Sequence, residues 1–190
     1  MHIDRYDYIK RLGKGAQGTV DLVFDRVLNS EVALKTLHFD AKENWLDLFR
    51  REFEVLADLS HPRLVKVHDF GNNAEGRTYF TREYVDGLDL VIGTSGINAR
   101  ELVAICVEIC RALRPLHTAG LIHGDLKPTN LVLAPKRIIE RKDGTLGARV
   151  TPIDFSFTRL AGGVAPKRGT AEYLAPEILE GTPVDNRCDL

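Results

Sequence analysis

Apolar and polar residues alternate in the first half of the chain, a period-two pattern that is typical of β-strands with one buried face. Val20, Leu22 and Phe24 show this alternation most clearly. The predicted strands cover residues 8–12, 19–24, 31–37, 64–70 and 78–84. Together these segments predict a small antiparallel sheet that is complete by Val85.

Two segments have the helical period instead. Phe49 and Leu56 fall on one face of residues 44–59, which predicts a helix that packs on the sheet. Asn98 followed by Glu101 predicts the start of a longer helix, because this pair can form a capping box. The apolar face of this second helix comprises Leu102, Ile105, Ile109, Leu113 and Leu116. The predicted fold class is α+β, a sheet with one helix followed by a mainly helical part.

The composition is that of a folded chain without a strong net charge. Of the 190 residues, 44% are hydrophobic and 28% are charged, which is enough to bury a core. The 26 basic and 27 acidic residues leave a net charge of -1, so we expect no nucleic-acid partner. Because long apolar runs and a secretory signal are absent, we expect no membrane span in this segment and a cytoplasmic location. We expect Cys106 and Cys110 to be buried thiols that only pack.

The segment Gly13-Lys14-Gly15-Ala16-Gln17-Gly18 has the pattern G-x-G-x-x-G, which occurs in loops that bind phosphates. A dinucleotide-binding turn would lead into a helix, whereas residues 19–24 alternate with period two. The pattern therefore predicts a glycine-rich hairpin whose backbone amides can approach phosphate oxygens. The alternative, a glycine turn in an ordinary hairpin, is disfavoured by the motifs further along the chain.

Glu52 interrupts the apolar face of the first predicted helix. A carboxylate buried at this position needs a cation nearby. Lys35 lies on a predicted strand with apolar neighbours, so we predict an ion pair between Lys35 and Glu52. The alternative for Lys35 is a solvated lysine at a sheet edge.

The densest group of reactive side chains is His123-Gly124-Asp125-Leu126-Lys127-Pro128-Thr129-Asn130, followed later by Asp154-Phe155-Ser156. These stretches resemble the catalytic loop and the metal-binding triad of protein kinases, whose usual forms are H-R-D-L-x-x-x-N and D-F-G. The segment 169–177 resembles the peptide-positioning loop and the A-P-E motif of the same family. Lys127 followed by Pro128 is similar to the serine/threonine type.

The resemblance implies a protein-kinase-like fold of two lobes. The N-lobe would comprise residues 1–85, the hinge or linker residues 86–90, and the C-lobe residues 91–190. Residues 185–190 look like the entrance to the central helix of the C-lobe, so we expect this lobe to be incomplete. We accordingly expect further domains of the same polypeptide beyond Leu190, and weak or no activity for the fragment alone.

The resemblance also implies ATP and Mg²⁺ as cofactors and a protein with serine or threonine as substrate. Asp125 would accept the proton of the substrate hydroxyl, and Lys127 would reach the transferred phosphoryl group. Asn130 and Asp154 would hold Mg²⁺, which prefers hard oxygen ligands.

Further roles are implied for the nucleotide site. Lys35, held by Glu52, would bind the α- and β-phosphates, and Thr170 would form hydrogen bonds near Asp125 and Lys127. The residues implied to contact the nucleotide are Leu12, Gly13, Gly15, Gly18, Val20, Ala33, Lys35, Glu83, Val85, Asp89 and Val132.

Three positions depart from the usual kinase pattern. Gly124 replaces an arginine that binds an activation-loop phosphate in most relatives, so we expect no control by phosphorylation of that loop. Ser156 replaces a glycine, which predicts that the metal-binding triad changes conformation less easily. Arg82, at the back of the implied adenine pocket, would narrow or charge it. His123 would pack against Phe155 rather than act as an acid or base.

Asn130 and Asp154 are 24 positions apart, about eleven more than the family pattern leads us to expect. We interpret residues 134–149 as an inserted hairpin with Asp143-Gly144 at its tip. Its basic residues are Lys136, Arg137, Arg141 and Lys142. We interpret them as solvated surface rather than as a docking site.

Two alternatives to an active protein kinase remain open. A pseudokinase that binds nucleotide as a scaffold or switch would fit the changes at Gly124, Ser156 and Arg82. A small-molecule kinase of the same fold would fit the catalytic residues, but the peptide-positioning loop favours a protein substrate.

Overall fold

The computed structural model describes residues 5–38, 43–140, 146–164 and 169–190. The chain forms two units, one of Met1–Ser60 with Val65–Tyr84 and the other of His61–Leu64 with Val85–Leu190. Within the described ranges, no helix combines the length and the apolar character needed to cross a membrane.

The first unit is a five-stranded antiparallel sheet with one helix. Its elements are β1 (Tyr6–Lys14), β2 (Gly18–Asp25), β3 (Ser30–Leu37), α1 (Glu43–Asp58), β4 (Val67–Asn72) and β5 (Thr78–Glu83). The strands are ordered β1-β2-β3-β5-β4. The sequence-based predictions of these strands and of α1 are confirmed, with shifts of a few residues at their ends.

The helix α1 contributes to a hydrophobic cluster of this unit. Phe49 is buried together with Leu37 of β3 and Phe80 of β5. The Phe49 and Phe80 rings lie 4.8 Å apart, a distance at which aromatic side chains attract each other beyond their area of contact. The apolar face that the sequence predicted therefore covers the sheet next to Lys35.

The strand β4 begins at Val67, three residues later than predicted. The preceding segment His61–Leu64 forms a turn, in which the Leu64 amide donates to the His61 carbonyl at 3.0 Å. This segment belongs to the second unit, although the predicted N-lobe includes it. An ion pair contributes to this grouping. The Arg63 guanidinium lies 2.8 Å from the buried Glu108 carboxylate, which also belongs to the second unit.

The second unit combines helices with short strands. Its elements are β6 (Leu88–Asp89), α2 (Leu90–Gly93), α3 (Ala99–Thr118), β7 (Leu121–Ile122), β8 (Leu131–Glu140), β9 (Leu146–Pro152), β10 (Arg159–Leu160) and α4 (Pro176–Glu180). The predicted capping box is present. The Asn98 side chain accepts a hydrogen bond from the Glu101 amide, and the Glu101 side chain accepts one from the Asn98 amide. The buried face of α3 and the strands β8 and β9 share one hydrophobic cluster.

The exposure of two cysteines corrects the sequence-based expectation. Cys106 and Cys110 are exposed on α3, whereas Ile105 and Leu113 are buried. Each cysteine lies one position after an apolar residue, and one position rotates a side chain about 100° around the helix axis. Leu102, predicted on the buried face, is also exposed.

The segment that we interpret as an insertion lies in a β-hairpin, as predicted. Strands β8 and β9 pair in antiparallel fashion, from Leu131 opposite Pro152 to Glu140 opposite Leu146. An irregularity between Leu133 and Ile138 separates the paired core of the hairpin from its outer part. Asp143-Gly144, Arg141 and Lys142, together with the side chains of Lys136 and Arg137, lie outside the described residues.

Candidate active site

The predicted catalytic loop, residues 123–130, follows β7 and ends in a short 3-10 helix at Pro128–Asn130. Its start is held from the far end of the chain by Asp189, whose carboxylate accepts from the His123 amide at 2.7 Å and from the Gly124 amide at 3.0 Å. The His117 ring lies 2.9 Å from the same carboxylate. Asp189 is buried, so these contacts satisfy backbone groups that water cannot reach.

The Asp125 carboxylate is the centre of the hydrogen-bond network. Its Oδ1 accepts from the Thr170 amide at 2.8 Å, and its Oδ2 lies 2.9 Å from the Lys127 ammonium. The Asn130 amide nitrogen donates to the Asp125 carbonyl at 2.9 Å and to its Oδ2 at 3.2 Å. Several donors thus fix the orientation of one buried carboxylate, as a positioned base requires.

Lys127 connects this carboxylate to the predicted peptide-positioning loop. Its ammonium donates to the Thr170 hydroxyl at 2.7 Å as well as to Asp125. The structure therefore brings together Asp125, Lys127, Asn130 and Thr170, all of which were predicted as site residues. Such an arrangement places a cation and a base within reach of one hydroxyl group.

The carboxylate of Asp154 is held by its own loop. The Ser156 hydroxyl donates to Asp154 Oδ1 at 2.7 Å, and the Ser156 amide donates to the same oxygen at 3.2 Å. Among the described residues there is no cluster of three or more His, Cys, Asp or Glu side chains that could hold a metal. The Asp154 carboxylate and the side-chain oxygen of Asn130 are nevertheless of the kind that binds Mg²⁺. This ion needs only one or two protein ligands when phosphates and waters supply the rest.

His123 packs as the sequence predicted. Its ring is fully buried, with its centroid 5.2 Å from that of Phe155. Burial is the largest cause of a lowered pKa for His123. The nearby Lys127 acts in the same direction, whereas the carboxylates of Asp189, Asp154 and Asp125 oppose the shift. A neutral imidazole at the base of the catalytic loop is the result.

We predict that His123 makes the protein less stable in mild acid. The unfolded imidazole takes up a proton near pH 6.5, while the folded one has a lowered pKa and stays neutral. The contribution of the neutral His123 to the free energy of unfolding is therefore complete above about pH 6.5. Below this pH the free energy of unfolding decreases by up to about 1.4 kcal/mol per pH unit. Urea unfolding between pH 7 and pH 5.5 measures this slope, which should be smaller in His123→Phe. Equal slopes for wild type and His123→Phe would contradict the prediction.

The predicted ion pair is present in the first unit. The Lys35 ammonium lies 2.6 Å from Glu52 Oε2, and their side chains are 9% and 0% exposed. The ammonium is also 5.9 Å from the Phe49 ring centroid and 5.8 Å from that of Phe80. The pair holds a lysine rigidly on β3, while its contact with phosphates stays a prediction.

The predicted nucleotide residues fall in both units. In the first unit, Val20 pairs across the sheet with Gly13 on one side and with Lys35 on the other, so these three positions form one row. Leu12 is on β1, Gly15 lies between β1 and β2, and Ala33 and Glu83 are on β3 and β5. In the second unit, Asp89 pairs with Val132 and Val85 precedes β6.

Two of these residues have structural roles that the sequence did not reveal. A side chain at Gly18 would overlap the Thr36 carbonyl of β3, so this glycine is required by close packing of the strands. Asp89 caps α2, because its carboxylate accepts from the Ile92 amide at 3.0 Å. At Gly13 and Gly15, by contrast, an added Cβ would meet no atom of the described residues within 4 Å.

Arg82 is buried on β5, opposite Ala33 of β3 and Val67 of β4. A guanidinium is rarely buried in a small sheet, since its charge has to be compensated. Its position in the interior agrees with the predicted narrowing of the space behind a nucleotide base, which stays a prediction.

Arg159 of β10 occupies the space next to Gly124. A Cβ at Gly124 would lie 2.6 Å from the Arg159 guanidinium and 2.7 Å from the Phe157 carbonyl. The backbone of Gly124 also has a φ of 77°, which favours glycine. The guanidinium donates to the Gly124 carbonyl at 3.5 Å. The loop thus accommodates Arg159 because position 124 has no side chain.

We predict that Gly124→Ala lowers the free energy of unfolding by about 2 kcal/mol or more, from backbone strain and steric overlap. Gly120→Ala is the matched control, because Gly120 has a φ of 71° and no described atom within 4 Å of an added Cβ. Urea unfolding of both variants separates the steric part from the backbone part. Equal losses of stability would show that the contacts with Arg159 and Phe157 do not restrict this position.

The sequence of the chain is similar to the sequences of known proteins. The sequence profile of the protein kinase domain matches residues 6–190. The chain is 35% identical over 198 residues to the serine/threonine-protein kinase PknB of Mycolicibacterium smegmatis, covering 98% of the chain and 31% of that protein. It is 34% identical over 195 residues to PknB of Mycobacterium tuberculosis, covering 98% of the chain and 30% of that protein. It is 33% identical over 195 residues to a probable serine/threonine-protein kinase, CE0033, of Corynebacterium efficiens, covering 98% of the chain and 29% of that protein. The chain thus spans about a third of the length of these relatives.

Proposed function

This chain belongs to the protein kinase family, and we propose that it transfers the γ-phosphoryl group of ATP to a serine or threonine hydroxyl of a protein. The observation that carries the proposal is the Asp125 carboxylate, which is buried and oriented by Lys127, Asn130 and Thr170. A carboxylate held in this way can accept a proton from a hydroxyl group without first reorganising.

Four residues of the second unit would have separate roles in phosphoryl transfer. Asp125 would take the proton of the attacking hydroxyl. Lys127, whose ammonium already joins Asp125 and Thr170, would bind an oxygen of the transferred phosphoryl group. Asn130 and Asp154 would hold Mg²⁺ through oxygen atoms. Bound Mg²⁺ would neutralise charge on the phosphates.

The residues of the first unit would hold the nucleotide. Lys35 is kept in place by Glu52 and would bind phosphate oxygens as a fixed cation. Gly13 and Gly15 leave open space on the described backbone of the glycine-rich hairpin, which would let its amides approach the phosphates. Val20 and Ala33 would supply the apolar contacts of the base.

We further propose that activity does not depend on phosphorylation of the activation loop. Gly124 has no side chain with which to bind a phosphate, and the Arg159 guanidinium lies where such a side chain would begin. The order of the catalytic loop rests on Asp189 instead, through two backbone hydrogen bonds.

The experiment that tests the proposal uses the native polypeptide that carries this chain. It is incubated with labelled ATP, Mg²⁺ and casein, and Asp125→Asn serves as the inactive control. Transfer of label to serine or threonine of casein, absent in the control, is the expected result. Nucleotide binding without transfer would favour the scaffold or switch, and label on small hydroxyl compounds alone would favour a small-molecule kinase.

A further inference from the structure

Ser156 forms two hydrogen bonds with the Asp154 carboxylate, and a glycine at this position could form only the one from the backbone amide. Its hydroxyl donates to Asp154 Oδ1 at 2.7 Å, in addition to the amide bond of 3.2 Å to the same oxygen. The serine is 4% exposed, so water has little access to this bond. Asp154 thus has one carboxylate oxygen fixed by two donors from one residue.

The backbone around Ser156 is compatible with a side chain. Residues 155–158 form a turn in which the Thr158 amide donates to the Phe155 carbonyl at 3.0 Å. Among the described non-glycine residues, only Asn29 has a positive φ, so Ser156 has an ordinary backbone conformation. The turn therefore needs no glycine, and the serine adds a hydrogen bond without backbone strain.

This bond has a directional consequence for Asp154. A carboxylate that accepts two hydrogen bonds on Oδ1 cannot rotate without breaking both. The outer partners of a metal ligand set its orientation, and their removal commonly lowers metal affinity by about 10- to 100-fold. In a loop that supplies a single carboxylate to a cation, the loss of such an orientation should weaken cation binding.

We propose that Ser156 is a positioning residue, whose hydroxyl orients the Asp154 carboxylate for a complex of a divalent cation with nucleotide. The inference rests on the proposed function, since it assigns to Asp154 the role of a ligand. It adds that a serine in place of the usual glycine raises the affinity of the site for the cation. The serine has this effect through its hydrogen bond to Asp154 and not only by making the loop less flexible.

The test measures cation-dependent nucleotide binding, with no transfer step. The native polypeptide is titrated with Mg²⁺ in the presence of a fluorescent ADP analogue, and the half-saturating Mg²⁺ concentration is determined. Ser156→Ala is expected to raise this concentration about 10-fold or more. The affinity for the analogue without Mg²⁺ should stay the same, and Ser156→Thr, which keeps the hydroxyl, should restore the wild-type value.

Thr158→Val is the matched control. Thr158 is also buried in this turn, and its hydroxyl has no hydrogen-bond partner among the described residues. This variant should leave the Mg²⁺ dependence unchanged. A loss of cation affinity in Thr158→Val equal to that in Ser156→Ala would mean that any change in the turn has this effect, and would overturn the inference.

The remaining outcomes separate this inference from the proposed function. If wild type binds the analogue in an Mg²⁺-dependent way and Ser156→Ala does so equally well, the inference fails and the proposed function stands. If wild type shows no Mg²⁺-dependent binding, both fail. Should Ser156→Ala unfold, Ser156→Cys, with similar volume and a weaker donor, takes its place, and an unchanged Mg²⁺ dependence in that variant overturns the inference.

Discussion

Asp125→Asn is expected to lower the rate of phosphoryl transfer by about 10²- to 10⁴-fold, the range typical of a lost general base. The carboxylate accepts hydrogen bonds from Thr170, Lys127 and Asn130. An asparagine has nearly the same shape and can still accept from the Thr170 amide, but it cannot take a proton from a hydroxyl group. The loss should therefore appear in kcat, measured with labelled ATP and casein at saturating nucleotide.

Two further measurements make this prediction specific. Binding of a fluorescent ADP analogue should be nearly unchanged in Asp125→Asn, because the nucleotide phosphates are assigned to Lys35 and the metal ligands. Asp58→Asn, an exposed aspartate at the end of α1, controls for the loss of one negative charge. Transfer by Asp125→Asn at a rate within about threefold of wild type would exclude Asp125 as the base, since even weak base catalysis contributes about 10²-fold.

Lys35→Met should destabilise the protein by about 3–5 kcal/mol as well as weaken nucleotide binding. The Lys35 ammonium is 2.6 Å from Glu52, whose side chain is 0% exposed. Removal of the cation breaks an ion pair with a fully buried carboxylate, and breaking a buried ion pair carries a penalty of this size. Urea unfolding followed by circular dichroism measures the loss, and Lys10→Met, at an exposed lysine of β1, is the control.

The double variant Lys35→Met/Glu52→Leu separates stability from function. Replacement of a buried ion pair by apolar residues of similar volume is often neutral, so the double variant should recover most of the stability lost in Lys35→Met. It should still bind nucleotide poorly, because the fixed cation is absent. If the double variant recovered both stability and nucleotide affinity, Lys35 would have only a structural role.

Much of the fold could be predicted because local rules specify it. The alternation of apolar residues in β2 and the helical spacing in α1 depend on neighbours a few positions away. The capping box of Asn98 and Glu101 likewise spans three residues. The Lys35–Glu52 pair was predictable for a different reason, namely that a carboxylate on an apolar helix face requires a cation.

Other features could not be predicted from local patterns. The exposure of Leu102, Cys106 and Cys110 on α3 differs from the expectation that they are buried. The sequence alone does not show which side of this helix packs against other elements. The grouping of the segment His61–Leu64 with the second unit is one such feature, since its Arg63 pairs with Glu108, 45 positions away.

By itself, the sequence determined the order of the elements, the set of candidate site residues and the resemblance to a kinase, because these depend on short motifs and on residue type. Only the tertiary structure decided how the site is supported. Asp189 holds the catalytic loop across 66 positions, and Arg159 fills the space next to Gly124 across 35. The Ser156 hydroxyl is close to Asp154 in sequence, yet its direction is set by the turn. Hydrogen bonds depend on distance and angle, and these follow from the folded backbone rather than from the order of residues.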